Sequence, residues 1–294
     1  MSNPQRQDYR LIHRLRVRWA EVDMQKIVFN GHYLMYFDTA MADYWRALAI
    51  PYEAAMQQLG GDLFVKKASL EYHASARYDD VLDVGLKCTR LGNSSITFTG
   101  GIFQGDKLLV SCELIYVYAD PATQTARPVP QVLRDIFTGF EAGEAMTRLE
   151  QGDWQTLGQD ASRVRKEVFV HELGIPETME LDAQDATAVH AVLYNRLNMP
   201  LATGRLLVAG PEHGLQVAQI GRMATQRVLR SASLGGMVLS ALVRSATARG
   251  DREVMLHAQR SAAAFYAKAG FIERGEPFDE VGISHIEMAK LLTP

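Results

Sequence analysis

The sequence has few of the features that mark secreted, membrane or nucleic-acid-binding proteins. Two cysteines in 294 residues are too few for a disulfide framework, and both Cys88 and Cys112 sit in apolar runs without metal-ligand spacing. No segment reaches the roughly 18 consecutive apolar residues of a membrane-spanning helix, and the first twenty residues lack a signal-like apolar core. A formal net charge of -3 gives no general attraction for nucleic acid or anionic lipid. These absences predict a cytoplasmic protein with buried, reduced thiols, no membrane span and no nucleic-acid partner.

The length and the apolar content indicate two domains. The chain is longer than a usual single domain, and 47% hydrophobic residues are ample for packed interiors. A polar stretch with Gly143 and Gly152 separates two halves of different rhythm. We predict an α+β protein with domains at 1–145 and 150–294.

The first half predicts an antiparallel sheet wrapped around one helix. Residues 32–50 contain no Gly or Pro, and their polar side chains fall in one wedge at helical spacing, so this helix must be largely enclosed. Alternating apolar residues predict strands at 70–74, 82–88, 96–103 and 108–118, with Arg14 to Ala20 as a first strand and a closing helix at 129–140.

The second half predicts a mixed α/β domain. A helix at 160–173 is expected to end at Gly174, and another at 234–249 is followed by Gly250. Strands are expected at 188–194, 202–209, 216–223, 253–257 and 284–291, with a short helix at 262–269.

Asp23 has two interpretations. It precedes a tight bend into the long helix, where an Asp commonly caps or solvates the turn. A carboxylate beside an apolar pocket could instead act as general base or nucleophile toward an acyl carbon, while amides at the helix start polarise its carbonyl. Position alone leaves both open.

The stretch WAEVDMQKIVFNGHYLMYFD and the strands after it resemble the hotdog-fold acyl-CoA thioesterases of the 4-hydroxybenzoyl-CoA thioesterase type over residues 10–140. The resemblance implies that Asp23 is the catalytic carboxylate and that the acyl group lies at a dimer interface beside the long helix. It places oxyanion and substrate contacts at Asn30, Gly31, His32 and Tyr33. It also implies a homo-oligomer, which sedimentation as a monomer at micromolar concentration would contradict.

Three positions in or near this motif allow more than one interpretation. Many bacterial relatives have His where this chain has Asn30, which cannot relay a proton although its backbone amide can donate. His32 is open between a replacement for that His and a structural residue of the first helical turn. Arg77, Tyr78 and Asp79 form a turn that is either solvated or in contact with CoA.

The stretch RMATQRVLRSASLGGMVLSALV predicts a strand, a turn of small residues and a helix, an arrangement that suits an anion. It resembles the pyrophosphate-binding turn of GNAT-family N-acetyltransferases, with Ser233 where that family has Gly. Ser233 could narrow the approach to the phosphates or force an unfavourable backbone angle. A helix cap without a ligand stays an alternative. The resemblance implies CoA contacts at the following residues: Met223, Thr225, Arg230, Ser231, Ser233, Gly235, Gly236 and Gln259.

Downstream, HAQRSAAAFYAKAGF resembles the closing strand and helix of the same family, in which a Tyr at the position of Tyr266 commonly protonates the departing CoA thiolate. By itself Tyr266 also fits a packed aromatic residue. Candidates on the acceptor side, which would hold an ammonium group or remove its proton, are Glu172, Asp182, Asp185, His190, Glu280 and His285. Caps and solvated strand ends are the alternative for each, and the two His have no tight metal-ligand spacing.

The leading hypothesis is a bifunctional enzyme that hydrolyses an acyl-CoA in its first domain and acylates an amine in its second. Coenzyme A or acetyl-CoA is then a co-substrate, with no permanently bound cofactor and no metal. One alternative makes the hotdog domain a dimerising acyl-CoA sensor, with only the GNAT domain catalytic. Another makes the GNAT domain a degenerate scaffold, because of Ser233.

Overall fold

The computed structural model describes residues 4–212, 215–230 and 232–292. By its internal contacts the chain divides into two compact units, Met1–Met146 and Thr147–Pro294. Among the described residues, a five-stranded sheet belongs to the first unit and a seven-stranded sheet to the second. The α+β fold class is confirmed, with an antiparallel sheet in the first unit and a mixed sheet in the second.

The elements of the first unit follow the predicted order, with one extra helix. They are β1 Leu11–Arg16, α1 Asn30–Ala47, α2 Tyr52–Leu59, β2 Asp62–Tyr72, β3 Val81–Leu91, β4 Ser95–Gln104, β5 Lys107–Ala119 and α3 Gln131–Glu141. The strands pair antiparallel in the order β1-β3-β4-β5-β2, which leaves β1 and β2 at the two edges.

Helix α1 buries one face against this sheet and α3, whereas Leu34 and Met35 on its other face are exposed, so the helix is less enclosed than predicted. Its buried side chains are Tyr33, Tyr36, Phe37, Ala40, Met41, Tyr44 and Trp45. The approach to β4 is close, because a Cβ added to Gly100 would lie 2.7 Å from the Phe37 ring. Large aromatic side chains on one side and a glycine on the other therefore seat the helix on the sheet.

The second unit is a mixed sheet. Its elements are β6 Thr147–Gly152, α4 Trp154–Arg165, a π-helical segment Lys166–Glu172, α5 Glu177–Glu180, β7 Val189–Asn195, β8 Pro200–Glu212, β9 Leu215–Thr225, α6 Leu234–Arg249, β10 Glu253–Gln259, α7 Ala263–Lys268, β11 Ile272–Glu280 and β12 Ile283–Leu291. The order is β11-β12-β10-β9-β8-β7-β6, and β9 pairs with β10 in parallel while the other neighbours are antiparallel.

The predicted bounds of the first strand are wrong for a local reason. The strand predicted at Arg14 to Ala20 starts earlier and ends at Arg16, and Trp19–Glu21 forms a 3-10 turn. The Glu21 carboxylate accepts the Arg18 backbone N–H at 2.7 Å, which bends the chain out of the sheet.

In the second half the helix predicted at 160–173 begins at Trp154, since Asp153 caps it by accepting the Thr156 N–H at 2.9 Å. The α-helix ends at Arg165 and continues as the π-helical segment to Glu172, whose C-cap is Leu173 rather than the predicted Gly174. Gly174 follows with a left-handed φ of 71°, the conformation common just after a helix. Strands β6 and β11 were missed. The first lies in the polar stretch between the halves, and the second is almost wholly exposed, so neither shows strong apolar alternation.

Two further expectations can be compared with the structure. Cys88 and Cys112 are free and buried, as predicted, and burial raises the pKa of each thiol to about 12. In the part of the chain that the structure describes, no helix is long and apolar enough to cross a membrane.

Candidate functional site

Asp23 lies in a short hairpin that folds back beside the start of α1. An isolated bridge pairs Val22 with Val28, and the Asp23 N–H donates to the Ile27 carbonyl at 2.9 Å. The Asp23 Oδ1 atom accepts the Gln25 N–H at 2.8 Å, so this carboxylate does cap its own turn. Its Oδ2 atom has no hydrogen-bond partner among the described residues, which leaves one oxygen of this half-buried residue for chemistry.

The first turn of α1 presents backbone donors. Phe29 precedes the helix in extended conformation without a side-chain cap, and the His32 N–H returns to the Phe29 carbonyl at 2.9 Å. The amides of Asn30 and Gly31 have no hydrogen-bond partner within residues 4–212 or the other described ranges. Free amides at a helix N-terminus are suited to a developing negative charge.

Tyr33 connects the helix to the loop before β3. Its hydroxyl accepts the Ala76 N–H at 2.9 Å, and its ring packs edge-on against Tyr72 at 5.7 Å. Burial raises the pKa of Tyr33, and nearby acidic groups that include Asp23 add to the rise.

The remaining motif residues in this unit take plainer positions. The centroid of the His32 ring lies 6.1 Å from that of the Phe29 ring, and His32 is half-buried. This position suits a structural residue in the first turn of the helix. In the turn before β3, Asp79 has a φ of 69° and pairs with Arg16 at 3.0 Å, while Tyr78 packs on Trp19 at 5.5 Å.

Sequence reasoning missed Glu21, the second acid of the same motif. Glu21 is 3% exposed and is held by the Arg18 side chain and by the Tyr36 hydroxyl at 2.8 Å. Burial would raise the pKa of Glu21, but the hydrogen bonds from Arg18 and Tyr36 outweigh it and lower the pKa. Both Glu21 oxygens are occupied, so Asp23 is the more available carboxylate of the two.

In the second unit, β9 and β10 separate where the predicted CoA residues lie. Their parallel pairing covers Val217, Ala218 and Gln219 of β9, although β9 continues to Thr225 and β10 to Gln259. The register of β9 against β8 also shifts near Arg222, which has a left-handed φ of 52°. Beyond Gln219 the two strands are not paired with each other, which leaves an opening between their ends.

The start of α6 forms a turn of small residues beside this opening. A Cβ added to Gly235 would lie 3.1 Å from the Thr225 hydroxyl oxygen and 3.6 Å from the Phe265 ring, so glycine permits the close approach. The space around Gly236 is open. Within the described ranges, the amides of Leu234, Gly235 and Gly236 have no hydrogen-bond partner. Ser231, also predicted as a CoA contact, lies outside the described residues.

Ser233 adopts the unfavourable backbone angle that its sequence position suggested. It is the N-cap of α6 with a φ of 62°, a left-handed conformation, and its side chain makes no cap hydrogen bond. Non-glycine residues pay about 1 kcal/mol or more for this conformation. The residue that replaces the family's Gly is therefore strained.

We expect Ser233→Gly to raise the free energy of unfolding by about 0.5–1 kcal/mol, because glycine adopts a positive φ without strain. Ser240→Gly makes the same substitution at an exposed, ordinary position of α6 and is expected to lower it by a similar amount. Urea unfolding of both variants measures the difference. Equal signs for the two changes would contradict the assignment of strain to Ser233.

The remaining predicted residues lie on the other side of the opening. Gln259 ends β10 opposite His285 of β12. Tyr266 in α7 is buried, and its ring contacts Phe265 at 4.9 Å and Phe271 at 6.1 Å. Burial raises the pKa of Tyr266 to about 12, so its hydroxyl stays protonated across the neutral range.

The six acceptor-side candidates do not form one site. Glu172 pairs with Arg230, and Glu280 is exposed near the β11–β12 turn. The His285 ring stacks on Phe278 at 6.0 Å. His190 lies on β7, separated from β12 by three strands, and the described residues contain no cluster that could hold a metal.

Asp182 and Asp185 instead belong to a buried ion-pair cluster that sequence reasoning missed. Its members are Arg165, Glu180, Asp182, Asp185, Arg205 and Arg222. Asp185 accepts from Arg165 at 2.9 and 3.0 Å and from Arg205 at 2.7 Å. The buried His190 ring, with Nε2 as donor, contacts the Asp185 carbonyl at 2.9 Å. These two aspartates therefore have guanidinium partners already and are poorly placed to hold an ammonium group.

We expect Asp185→Asn to lower the free energy of unfolding by about 3 kcal/mol at neutral pH, because it leaves two buried guanidinium groups short of a charge partner. Burial would raise the pKa of Asp185, but its arginine partners lower it to about 2. A depressed carboxylate pKa gives stability that is present above about pH 4 and lost as the pH falls toward 2. Urea unfolding at pH 7 and near pH 3 should show the difference between variant and wild type shrinking in acid. A difference that does not depend on pH would contradict this account.

Comparison with known proteins assigns a different family model to each half of the chain. The model of the thioesterase superfamily matches residues 25–111, and the model of the acetyltransferase (GNAT) domain matches residues 160–292. A Bacillus subtilis protein named "Uncharacterized N-acetyltransferase YjcF" is 33% identical over 133 residues, which cover 45% of this chain and 91% of that protein.

Other relatives include two proteins named for ester or thioester hydrolysis. An Aquifex aeolicus protein named "Putative esterase" is 34% identical over 95 residues, covering 32% of this chain and 73% of that protein. The "Acyl-CoA thioester hydrolase YbgC" of Escherichia coli is 26% identical over 118 residues, covering 40% of this chain and 87% of that protein. The chain therefore belongs through its first half to the thioesterase superfamily and through its second half to the GNAT acetyltransferase family.

Proposed function

We propose that the protein is a bifunctional enzyme that uses CoA thioesters in both units. The first unit hydrolyses an acyl-CoA, and the second transfers an acetyl or longer acyl group from CoA to an amine. The observation that carries the proposal is shared by both units: in each, backbone amides at a helix start have no hydrogen-bond partner among the described residues, and the same unit holds a side chain suited to thioester chemistry. CoA enters as a co-substrate, and no step needs a permanently bound cofactor.

In the first unit, Asp23 acts on the thioester carbon either directly or through a water molecule. Its Oδ2 atom is unengaged, whereas both oxygens of Glu21 are held by Arg18 and Tyr36. The amides of Asn30 and Gly31 stabilise the negative charge that forms on the carbonyl oxygen. The C–S bond breaks, CoA leaves as its thiolate, and water supplies the hydroxyl group of the acid product.

In the second unit, the opening between β9 and β10 receives the CoA thioester, and the amides at the start of α6 receive its phosphates. An uncharged amine attacks the acyl carbon and forms the amide bond. Tyr266 gives its proton to the departing CoA sulfur, and the proton released by the amine passes to solvent or to a base. The raised pKa of Tyr266 keeps that proton available at neutral pH.

We include a homo-oligomer formed by the first unit in this proposal, and a cytoplasmic setting stays a prediction. Edge strand β2 exposes Val65 and Tyr72, and the outer side of α1 exposes Leu34 and Met35. Exposed apolar side chains along an unpaired edge suit contact with a second copy of the chain.

A thiol-release assay over a panel of acyl-CoA substrates, with and without a library of amines, tests both reactions. Release without amine that depends on Asp23 identifies hydrolysis, and amine-dependent release that depends on Tyr266 identifies transfer. If Asp23→Asn leaves all release unchanged while acyl-CoA still binds, the first unit is a sensor and that half of the proposal is wrong. If no amine stimulates release, the proposed transferase activity is wrong.

A further inference from the structure

Among the described residues, two parts of the second unit accept three hydrogen bonds from Arg230. Its Nε–H donates to the Thr225 carbonyl at the end of β9, at 3.2 Å. Its two terminal nitrogens donate one bond each to the two carboxylate oxygens of Glu172, both at 2.6 Å. Glu172 ends the π-helical segment Lys166–Glu172, so this bidentate pair ties that segment to the turn before α6.

A guanidinium group uses the same paired N–H groups along its edge to bind a carboxylate or a phosphate. An anion that binds the paired terminal N–H groups of Arg230 must therefore displace Glu172 or form hydrogen bonds of poorer geometry. The hydrogen bonds from Arg230 lower the pKa of Glu172, so its carboxylate is charged at neutral pH and competes at full strength. Arg227, by contrast, is exposed and has no ion pair among the described residues.

We infer that Glu172 competes with the CoA phosphates for Arg230 and thereby limits the affinity of the second unit for CoA. The inference rests on the proposed function, because it requires CoA to bind at the turn before α6. It assigns Glu172, an acceptor-side candidate by sequence, to control of CoA binding. Phosphate arrival exchanges one ion pair for another and changes no covalent bond.

Calorimetric titration of CoA into the full-length protein tests this. Glutamine keeps the size of Glu172 and removes its charge, so Glu172→Gln is expected to bind CoA about threefold more tightly, the range of a partly exposed ion pair. In an Arg230→Gln background the same change is expected to have no effect. CoA bound by the first unit contributes equally to all four proteins and cancels from the comparison.

Glu167→Gln is the matched control, since it removes the same charge from the same helical segment and Glu167 has no ion pair among the described residues. An equal gain in Glu167→Gln would show a general charge effect and overturn the inference. Unchanged or weaker binding in Glu172→Gln would also overturn it, and would show that Glu172 only orients Arg230. If Arg230→Gln weakens CoA binding in that case, the CoA site stands and only the competition fails. If Arg230→Gln has no effect either, the placement of CoA at this turn fails with it.

Discussion

Asp23→Asn is expected to reduce acyl-CoA hydrolysis by about a thousandfold while leaving the free energy of unfolding within about 0.5 kcal/mol of wild type. Asparagine keeps a side-chain oxygen that can accept the Gln25 N–H, so the turn survives. It cannot act as a base or as a carboxylate nucleophile. The substitution therefore separates the capping role of Asp23, which the structure shows, from the catalytic role that we propose.

Asp120→Asn is the matched control for this experiment. Asp120 also caps a turn of the first unit, accepting the N–H groups of Ala122 and Thr123 at 2.8 and 2.9 Å. Its replacement is expected to leave hydrolysis unchanged. Rates of CoA release and urea unfolding should be measured on both variants. Full activity in Asp23→Asn, or equal losses in the two variants, would rule out Asp23 as the catalytic carboxylate.

Tyr266→Phe is expected to lower amine-dependent CoA release by about a thousandfold, because the departing thiolate loses its proton donor. The ring contacts with Phe265 and Phe271 are retained, so the fold should persist. The pH dependence gives a second readout. Because the pKa of Tyr266 is raised to about 12, the wild type should not lose this acid near pH 10, where an ordinary tyrosine is half ionised.

Tyr194→Phe controls for the loss of a buried hydroxyl in the same unit. The Tyr194 hydroxyl donates to Asp160 at 2.7 Å and belongs to neither diverging strand end. This variant is expected to keep wild-type transfer rates. A Tyr266→Phe enzyme with unchanged kcat, or an alkaline loss of rate centred near pH 10 that disappears in Tyr266→Phe, would contradict the proposed role.

Much of the fold was predictable because it is written in local patterns. The buried face of α1 follows from aromatic residues at helical spacing, and the strands β3 to β5 follow from period-two alternation. Gly250 caps α6 as expected with a positive φ, whereas Gly174 lies just beyond the π-helical segment that Leu173 caps. The exposed strand β11 has no such alternation, and it was missed for that reason.

The candidate sites were only partly predictable. The sequence drew attention to Asp23, yet nothing in WAEVD ranks Asp23 against Glu21; the difference arises because Arg18 and Tyr36 reach Glu21 and saturate it. Likewise, Asp182 and Asp185 looked available to an amine until α4 and β8 brought Arg165 and Arg205 against them. Arg18 is a near neighbour of Glu21, but Tyr36 is 15 residues from Glu21, and Arg165 and Arg205 are each 20 residues from Asp185, so local spacing does not reveal these contacts.

By itself the sequence determined the apolar patterns of the strands and helices in both halves and the positions where α1 and α6 begin. It also determined the two motifs that lead to family membership. These features depend on contacts between near neighbours along the chain. Only the tertiary structure decided which carboxylates are engaged, that Glu172 holds Arg230, and that β9 and β10 diverge beside α6. Those outcomes depend on which charged groups meet after folding, and long-range pairing is set by packing rather than by residue order.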